Sequence, residues 1–417
     1  MEIKRDRYLQ ELIDRKHNGL IKIVTGLRRC GKSYLLMHIF YNHLIECGTP
    51  KDHIITVTLD NLKNEKYLNP HTLLAYLESK ITDANQHYII LDEIQLVDNF
   101  TGLLNSLLHI ENADVYVTGS NSRFLSRDVI TEFRGRGDEV HLYPLRFCEY
   151  MTAYPGDKYE GWYNYRTYGG LPYILTRKTE EQKIVYLKNL FAETYLIDII
   201  NRHNIRNDAE LEILLDILSS SVGSLTNPTK ICNTFKSVNN TDISDHTVKK
   251  YLDALEESFL VTGVKRFDVR GRKYIGSPLK YYFEDVGLRN ARLNFRQHEE
   301  NYLMENIIYN ELRARGFSVD VGVVEKFERN SEGKSVRKNF EIDFVATLGS
   351  RKYYVQSAFT LSGDEKEKQE KQSLLNISDS FKKIIVVRDY TGVYRDENGI
   401  VTIGILDFLL NENSLDL

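Results

Sequence analysis

Gly26-Leu27-Arg28-Arg29-Cys30-Gly31-Lys32-Ser33 sets two glycines, a lysine and a hydroxyl at the spacing GxxxxGK[ST]. Glycines at those points let a backbone loop close around a polyanion, and the N–H groups at the following helix start converge on it as donors. Lys32 would neutralise the β/γ-phosphates of a nucleotide, and the Ser33 hydroxyl would ligate Mg²⁺. The candidate nucleotide-binding segment therefore runs from Gly26 to Tyr34. A second chemistry-bearing pair, Asp92-Glu93, ends the apolar run His87-Tyr88-Ile89-Ile90-Leu91. An acid at a strand tip beside a phosphate loop suits Asp92 to Mg²⁺, and Glu93 would polarise the attacking water as a general base. ATP and Mg²⁺ are the ligands that this set implies.

The elements that must position these groups are legible around them. Residues 21–25 form a short β-rich run that enters the loop directly. Residues 34–40 follow with an apolar helical pattern that runs towards Gly48 and Pro50. One more strand, 53–59, and a helical stretch near 72–80 lie between Lys32 and Asp92. That insertion resembles the additional-strand group of P-loop proteins, which includes AAA+ proteins and carries a catalytic Glu after the metal-binding Asp. In that group the next strand, here 114–118, presents a polar sensor to the γ-phosphate. Ser120 or Asn121 fits the role, with Asn121 entered among the candidate catalytic residues; a plain turn is the alternative. Beyond it, Arg136 rather than Arg134 is the candidate arginine finger, reaching a neighbour's γ-phosphate and so implying a homo-oligomer. The alternative is a pair of exposed loop arginines.

The composition narrows the class. A chain of 417 residues exceeds one compact core, and 42% apolar with 27% charged residues is ordinary for a globular protein. No run approaches the roughly 20 apolar residues of a membrane span, and Met1–Arg7 leads into no signal core, so a cytoplasmic protein without membrane contact is expected. Four scattered cysteines (Cys30, Cys47, Cys148, Cys232) form no CxxC pair. That argues against a zinc site of that kind or a disulfide framework. With 55 basic and 59 acidic residues the net charge is −4, so any nucleic-acid contact must come from a local basic patch.

GLRRCGKS, ILDEIQ, TGSNS, RGRG followed by YPLRFCEY, YGGLPYIL and KYYFEDVGLRNARL together resemble a family of prokaryotic AAA-type ATPases with a C-terminal DUF4143 region, allied to the STAND ATPases. The resemblance spans nearly the whole chain. It implies that Pro172, within Gly169-Gly170-Leu171-Pro172, lies against the nucleotide from a helical lid; read from the residues, the element is only a turn before a helix. The lid would hold Asp198 and Arg202 at i, i+4, as an ion pair on one helix face.

Residues 209–219, 228–235 and 243–252 read as three helices, with Pro228 at a first helical position and Ser244 as an N-cap. Strands at 260–267 and 273–275 follow, giving a winged helix-turn-helix in outline. Lys249, Lys250, Lys265, Arg266, Arg270, Arg272 and Lys273 are its candidate DNA-binding residues. The alternative is a winged helix that packs on the nucleotide domain. From 295 onwards an α-β-β-β-α-β order resembles the PD-(D/E)XK nuclease fold. Asp343 matches the first metal position and Glu305 a helix carboxylate, but Gln356 and Ala358 replace the acid and the lysine of the second motif. Lys366 or Lys368 are alternative lysines. The expected domain is nuclease-like and inactive.

The expected architecture is thus α/β: a P-loop ATPase domain (1–146), a helical lid (147–208), a winged helix-turn-helix (209–294) and a PD-(D/E)XK nuclease-like domain (295–417). The leading functional expectation is an AAA+/STAND-like ATPase that couples nucleotide state to DNA binding or remodelling. The alternative is a signalling or scaffold switch that acts on a protein partner without DNA.

Overall fold

The computed structural model describes residues 3–119, 135–296, 299–329, 335–360, 364–388 and 392–417. The chain divides into two compact units, Met1–Pro144 with Glu257–Phe259, and Leu145–Glu256 with Leu260–Leu417. Among the described residues no helix is long and apolar enough to cross a membrane.

In the first unit, β1 (Ile21–Thr25), β2 (Ile54–Thr58), β3 (His87–Asp92), β4 (Ala113–Thr118) and β5 (Gly137–His141) form one sheet in the order β2-β3-β4-β1-β5. Every pairing in it is parallel. All residues of β1 and β3 are buried, as continuous apolar runs require in a sheet covered on both faces. Leu73 and Leu77 of the helix Pro70–Lys80 and Leu103, Leu104 and Leu107 of Phe100–Leu107 pack on Ile23, Ile89, Leu91 and Val117. Asn69 caps the first of these helices through His71 N and Thr72 N, with Pro70 in its first turn. Parallel strands share an edge at their C-terminal ends, so Thr25, Asp92 and Thr118 end side by side.

The second unit is built on an eight-stranded sheet. Its strands are β6 (Val261–Asp268), β7 (Lys273–Phe283), β8 (Ser318–Arg329), β9 (Ser335–Leu348), β10 (Arg351–Ala358), β11 (Lys382–Val387), β12 (Tyr394–Arg395) and β13 (Val401–Gly404). They lie in the order β12-β13-β11-β10-β9-β8-β6-β7. With the helices Glu300–Ala314 and Asp364–Leu375, the α-β-β-β-α-β order expected from residue 295 onwards is present.

The structure corrects the reading of the hairpin. β7 extends to Phe283, not to 275, and β6 pairs in parallel with β8. The strand continues through Gly276, Ser277 and Pro278 because β7 is an edge strand, where proline costs no ladder bond. The expected boundary at 294/295 therefore separates strands of one continuous sheet. Ahead of the hairpin stand the helices Asp208–Ser220, Pro228–Asn239 and Asp245–Glu257. Ser244 Oγ accepts from Thr247 N at 3.1 Å, the expected cap. The Asp198–Arg202 pair forms at 2.9 Å.

Two buried networks tie the first part of this unit to residues more than 100 positions later. Gly169 has φ +79°, and a Cβ there would meet the Asp285 carboxylate at 2.2 Å. Gly170 N donates to Asp285 Oδ2 at 2.8 Å. Burial raises the Asp285 carboxyl to about 6 against that hydrogen bond and those from Leu288 and Gly287. Further on, Arg146 forms a two-pronged pair with Glu311 (2.6 and 3.2 Å), and Arg315 Nε reaches the same carboxylate at 2.7 Å. Two guanidinium groups keep the buried Glu311 carboxyl below its usual range. Replacing Glu311 with alanine leaves both cations buried without it, which should lower the stability of the second unit by about 3–5 kcal/mol. Denaturant unfolding followed by a probe in that unit checks this; a shift under about 1 kcal/mol would contradict it.

Candidate functional site

The phosphate loop leaves β1 at Gly26 and enters the helical turn Lys32–Tyr34, which continues through a π-helical stretch Leu35–Phe40 into Tyr41–Glu46. Gly26 (φ +132°) presses on strand-end backbone: a Cβ there would sit 2.2 Å from Leu142 O. Cys30 Sγ reaches the same carbonyl at 3.2 Å, so Leu142 anchors both ends of the loop. Lys32 is 5% exposed and its Nζ donates to the carbonyls of Gly26 and Leu27 at 3.0 Å each. Leu27 is buried beneath the loop, Arg28 is half-buried, and Arg29 and Tyr34 are exposed. Gly31 takes φ +106° as the helix begins.

Asp92 is 3% exposed at the tip of β3. The Ser33 side chain lies near enough to this carboxylate to favour its charged form, which sets the phosphate loop beside the end of β3. Thr118 Oγ1 donates to Asp92 Oδ1 at 2.5 Å and accepts from Glu93 N at 2.9 Å. Burial raises the Asp92 carboxyl, and the Thr118 hydroxyl and the Ser33 side chain pull it back. Glu93 stands in the left-handed region (φ +56°), which costs a non-glycine residue about 1–2 kcal/mol. The bond from its N–H to Thr118 holds it there. Strain of this kind, locked by a neighbouring hydroxyl, gathers where a side chain must be aimed.

The fold sets the expected Lys32, Ser33, Asp92 and Glu93 at one edge of the sheet, and beside them stands Thr118, which sequence reading did not single out. The only signal for Thr118 was its place as the last residue of β4. Its partnership with Asp92 arises because β4 runs beside β3. Ser120 and Asn121, the expected sensors, lie outside the described residues, as does Arg134. Arg136 is described: it precedes β5, its carbonyl accepts from Ile21 N, and its guanidinium donates to Asn105 Oδ1 at 2.9 Å. That is the sheet edge opposite the phosphate loop, about 16 Å away along β1, so Arg136 does not serve the loop of its own chain. Pro172 opens the short turn Pro172–Thr176 in the second unit, behind the glycines fixed by Asp285.

This parallel sheet, with β4 between the strand of the phosphate loop and the strand of the acid, is a P-loop ATPase fold of the AAA type. Residues 18–151 match the AAA domain family (AAA_14). Residues 159–299 match a domain of unknown function, DUF8612, where the resemblance implied DUF4143. A protein of Haemophilus influenzae is 33% identical over 417 residues, covering 98% of each chain, and the chain belongs to the family of that protein. A Methanocaldococcus jannaschii protein is 28% identical over 363 residues, 84% of this chain and 77% of its own. Both are described as uncharacterized, so neither brings an activity. A Walker-type ATPase of Pyrococcus abyssi is 16% identical, covering 70% of this chain and 96% of its own, at a TM-score of 0.49 that carries no argument.

The candidate DNA-binding residues divide. Lys249 and Lys250 are exposed on Asp245–Glu257, as are Lys265, Arg272 and Lys273 on the hairpin. Arg266 and Arg270 are committed elsewhere. Arg266 donates to Ser277 O at 2.9 Å. Arg270 donates to Glu325 O and Asn376 O at 3.1 and 3.0 Å, which binds the hairpin tip to β8 and to the end of Asp364–Leu375. These two therefore also serve the fold, through backbone carbonyls.

Glu305 and Asp343 do converge, as the nuclease resemblance implied, but around a lysine. Lys280 Nζ lies 2.9 Å from Glu305, 2.8 Å from Glu341 and 3.5 Å from Asp343. Tyr282 OH donates to Glu305 at 2.6 Å, and Ser357 N to Asp343 at 2.8 Å. Gln356 takes part through its amide: its Oε1 accepts from Asp343 N at 3.3 Å and its Nε2 donates to Glu370 at 3.4 Å. Lys368 is exposed, and nothing is described of the side chain of Lys366. The residues present do not fit a catalytic metal, because the Lys280 ammonium already supplies the positive charge.

Lys280 is 3% exposed, and its three carboxylates hold the ammonium well above its usual range. Burial first, and Glu305 second, push the Asp343 carboxyl up to about 7. Removing the ammonium, as in Lys280→Met, leaves three carboxyls without it and raises the folded-state value of Asp343 further. Carboxyls with raised folded values are tolerated while protonated and destabilise as pH rises past their unfolded values. The variant should therefore unfold close to wild type near about pH 4 and lose about 3–5 kcal/mol relative to it by about pH 8. Urea unfolding across that range checks this; a pH-independent difference would contradict it.

Proposed function

We propose that this chain hydrolyses ATP with Mg²⁺ at the loop Gly26–Ser33. The observation that carries the reading is the Thr118 hydroxyl bridging the Asp92 carboxylate and the Glu93 backbone, at the sheet edge where the phosphate loop leaves β1. The loop N–H groups and Lys32 bind and orient the triphosphate. Ser33 and Asp92 would hold Mg²⁺, which when bound offsets the charge on the β- and γ-phosphates. Glu93 takes the proton from the attacking water as its oxygen closes on the γ-phosphorus and the bond from that phosphorus to the β,γ-bridging oxygen breaks, releasing ADP and phosphate. Asn121 as sensor, Pro172 as the lid contact to the nucleotide and Arg136 as a finger from a second copy complete the proposed site. The place of Arg136 at the far sheet edge supports its action in trans, and hence a homo-oligomer.

We further propose that nucleotide state is coupled to DNA through phosphate contacts by Lys249, Lys250, Lys265, Arg272 and Lys273, which stand exposed on the helix Asp245–Glu257 and the hairpin. The commitment of Arg266 and Arg270 to backbone carbonyls favours a second reading, an ATP-dependent switch on a protein partner. ATP turnover by wild type and Glu93→Gln, each with and without duplex DNA, separates them. Glu93→Gln should slow turnover by about 10²–10⁴-fold while ATP binding persists. Duplex DNA should speed the wild type. Wild-type turnover in Glu93→Gln would remove Glu93 as the base, and turnover indifferent to DNA would leave the protein-partner reading.

A further inference from the structure

At the opposite end of β3 from Asp92, His87 opens the strand, and His53 stands beside it immediately before β2. The two imidazoles stack with centroids 4.3 Å apart and planes at 15°. Asp83, from the loop ahead of β3, places Oδ2 3.4 Å from His53 Nε2. One ligand atom from each residue can be chosen so that all three lie within 4.8 Å of one another.

His87 points to what this cluster is for. Its side chain is fully buried, and Nδ1 lies 2.8 Å from the Asn85 carbonyl, which can only accept. In the neutral ring the proton is therefore on Nδ1, and Nε2 carries a lone pair. That Nε2 is buried and has no hydrogen-bond partner among the described residues. A backbone carbonyl on one ring nitrogen and a bare lone pair on the other is how metal-bound histidines are oriented. The surrounding loop is braced: Asn112 Nδ2 donates to the carbonyls of Asp83 and Asn85 at 2.9 and 3.0 Å, and His87 N donates to Asn112 O at 2.8 Å. Hydrogen bonds from Asn85 hold the Asp83 carboxyl below its usual range, so it is ionised at neutral pH.

We propose that His53, Asp83 and His87 form a binding site for a divalent transition metal of the zinc class. Two imidazoles and a carboxylate suit Zn²⁺, Co²⁺ or Ni²⁺ and are a poor set for Mg²⁺ or Ca²⁺. Tetrahedral zinc, with bonds of about 2.0–2.1 Å, needs its ligand atoms about 3.4 Å apart, so the stacked rings must turn slightly to share an ion. Asp83 is exposed and can follow them, and water would fill the fourth position. Four residues of β3 lie between His87 and Asp92, a span of about 16 Å, so the ion takes no part in phosphate chemistry. It ties the starts of β2 and β3 to the loop between residues 83 and 87.

The test uses full-length, tag-free protein stripped with chelator and titrated with Co²⁺ and then Zn²⁺. One equivalent of Co²⁺ should give the strong visible bands of tetrahedral coordination, without sulfur charge transfer, and Zn²⁺ should displace it. Asp83→Ala, in an exposed loop, and His53→Gln should each weaken binding by at least about 10–100-fold, the loss that follows even from disturbing a ligand's support. Ser33→Ala should keep the site, because it lies apart from the phosphate loop. Cys47→Ser should also keep it, although Cys47 Sγ lies 3.5 Å from His43 Nε2 and is the competing surface pair. Absence of the tetrahedral spectrum in wild type would overturn the proposal. So would binding that survives in Asp83→Ala and His53→Gln, or that disappears in Cys47→Ser.

Discussion

A carboxylate buried at the end of β3 must stay ionised to be of use to a metal, and burial works against it. Asp92 is almost inaccessible, and desolvation lifts its carboxyl. The Thr118 hydroxyl offsets that lift by donating to the charged form, and the nearby Ser33 side chain acts in the same direction. The sheet order exists to make this possible. Only with β4 next to β3 can Thr118 stand opposite Asp92, and only with β1 next to β4 can the phosphate loop deliver Ser33 to the same edge. The left-handed turn at Glu93 hangs on the same Thr118 oxygen. One side-chain hydroxyl thus bears on both the charge of Asp92 and the direction of Glu93.

The second unit obeys a related constraint with another solution. Its buried charges meet as closed sets: Glu311 between Arg146 and Arg315, and Lys280 among Glu305, Glu341 and Asp343. Neither set resembles an open catalytic site. In the second, an ammonium from the edge hairpin occupies the centre that a metal would need, and Arg270 pins the same hairpin to carbonyls beyond it. The lysine turns a cluster of acids into a cross-link between β7, the helix Glu300–Ala314 and β9.

What could be read from the sequence was what lies close together in it. The phosphate loop is eight consecutive residues, and its strand and helix flank it directly. The Asp92-Glu93 pair ends an uninterrupted apolar run. Ser244 and Pro228 announce their helices by local capping chemistry. Thr118 was hidden because its two partners are assembled by strand order, which no local spacing encodes. Lys280 was hidden because Gly276-Ser277-Pro278 reads as the end of a strand, whereas an edge strand runs through it. Arg270 read as a phosphate contact because the carbonyls that hold it leave no mark in the side-chain pattern. His53 and His87 read as strand starts, and only the parallel register of β2 and β3 sets their rings together.

Thr118→Val keeps the volume and removes the hydroxyl, so it isolates the interaction on which the site depends. The decisive measurement is calorimetric binding of a non-hydrolysable ATP analogue to wild type and Thr118→Val, with and without Mg²⁺. Affinity without Mg²⁺ should be alike in both, since the loop is intact. The tightening produced by Mg²⁺ should be smaller in Thr118→Val by about 10–100-fold, the worth of a hydrogen bond to a buried charge. An equal Mg²⁺ effect in the two proteins would contradict the account, because Asp92 would then hold its charge and its metal without Thr118.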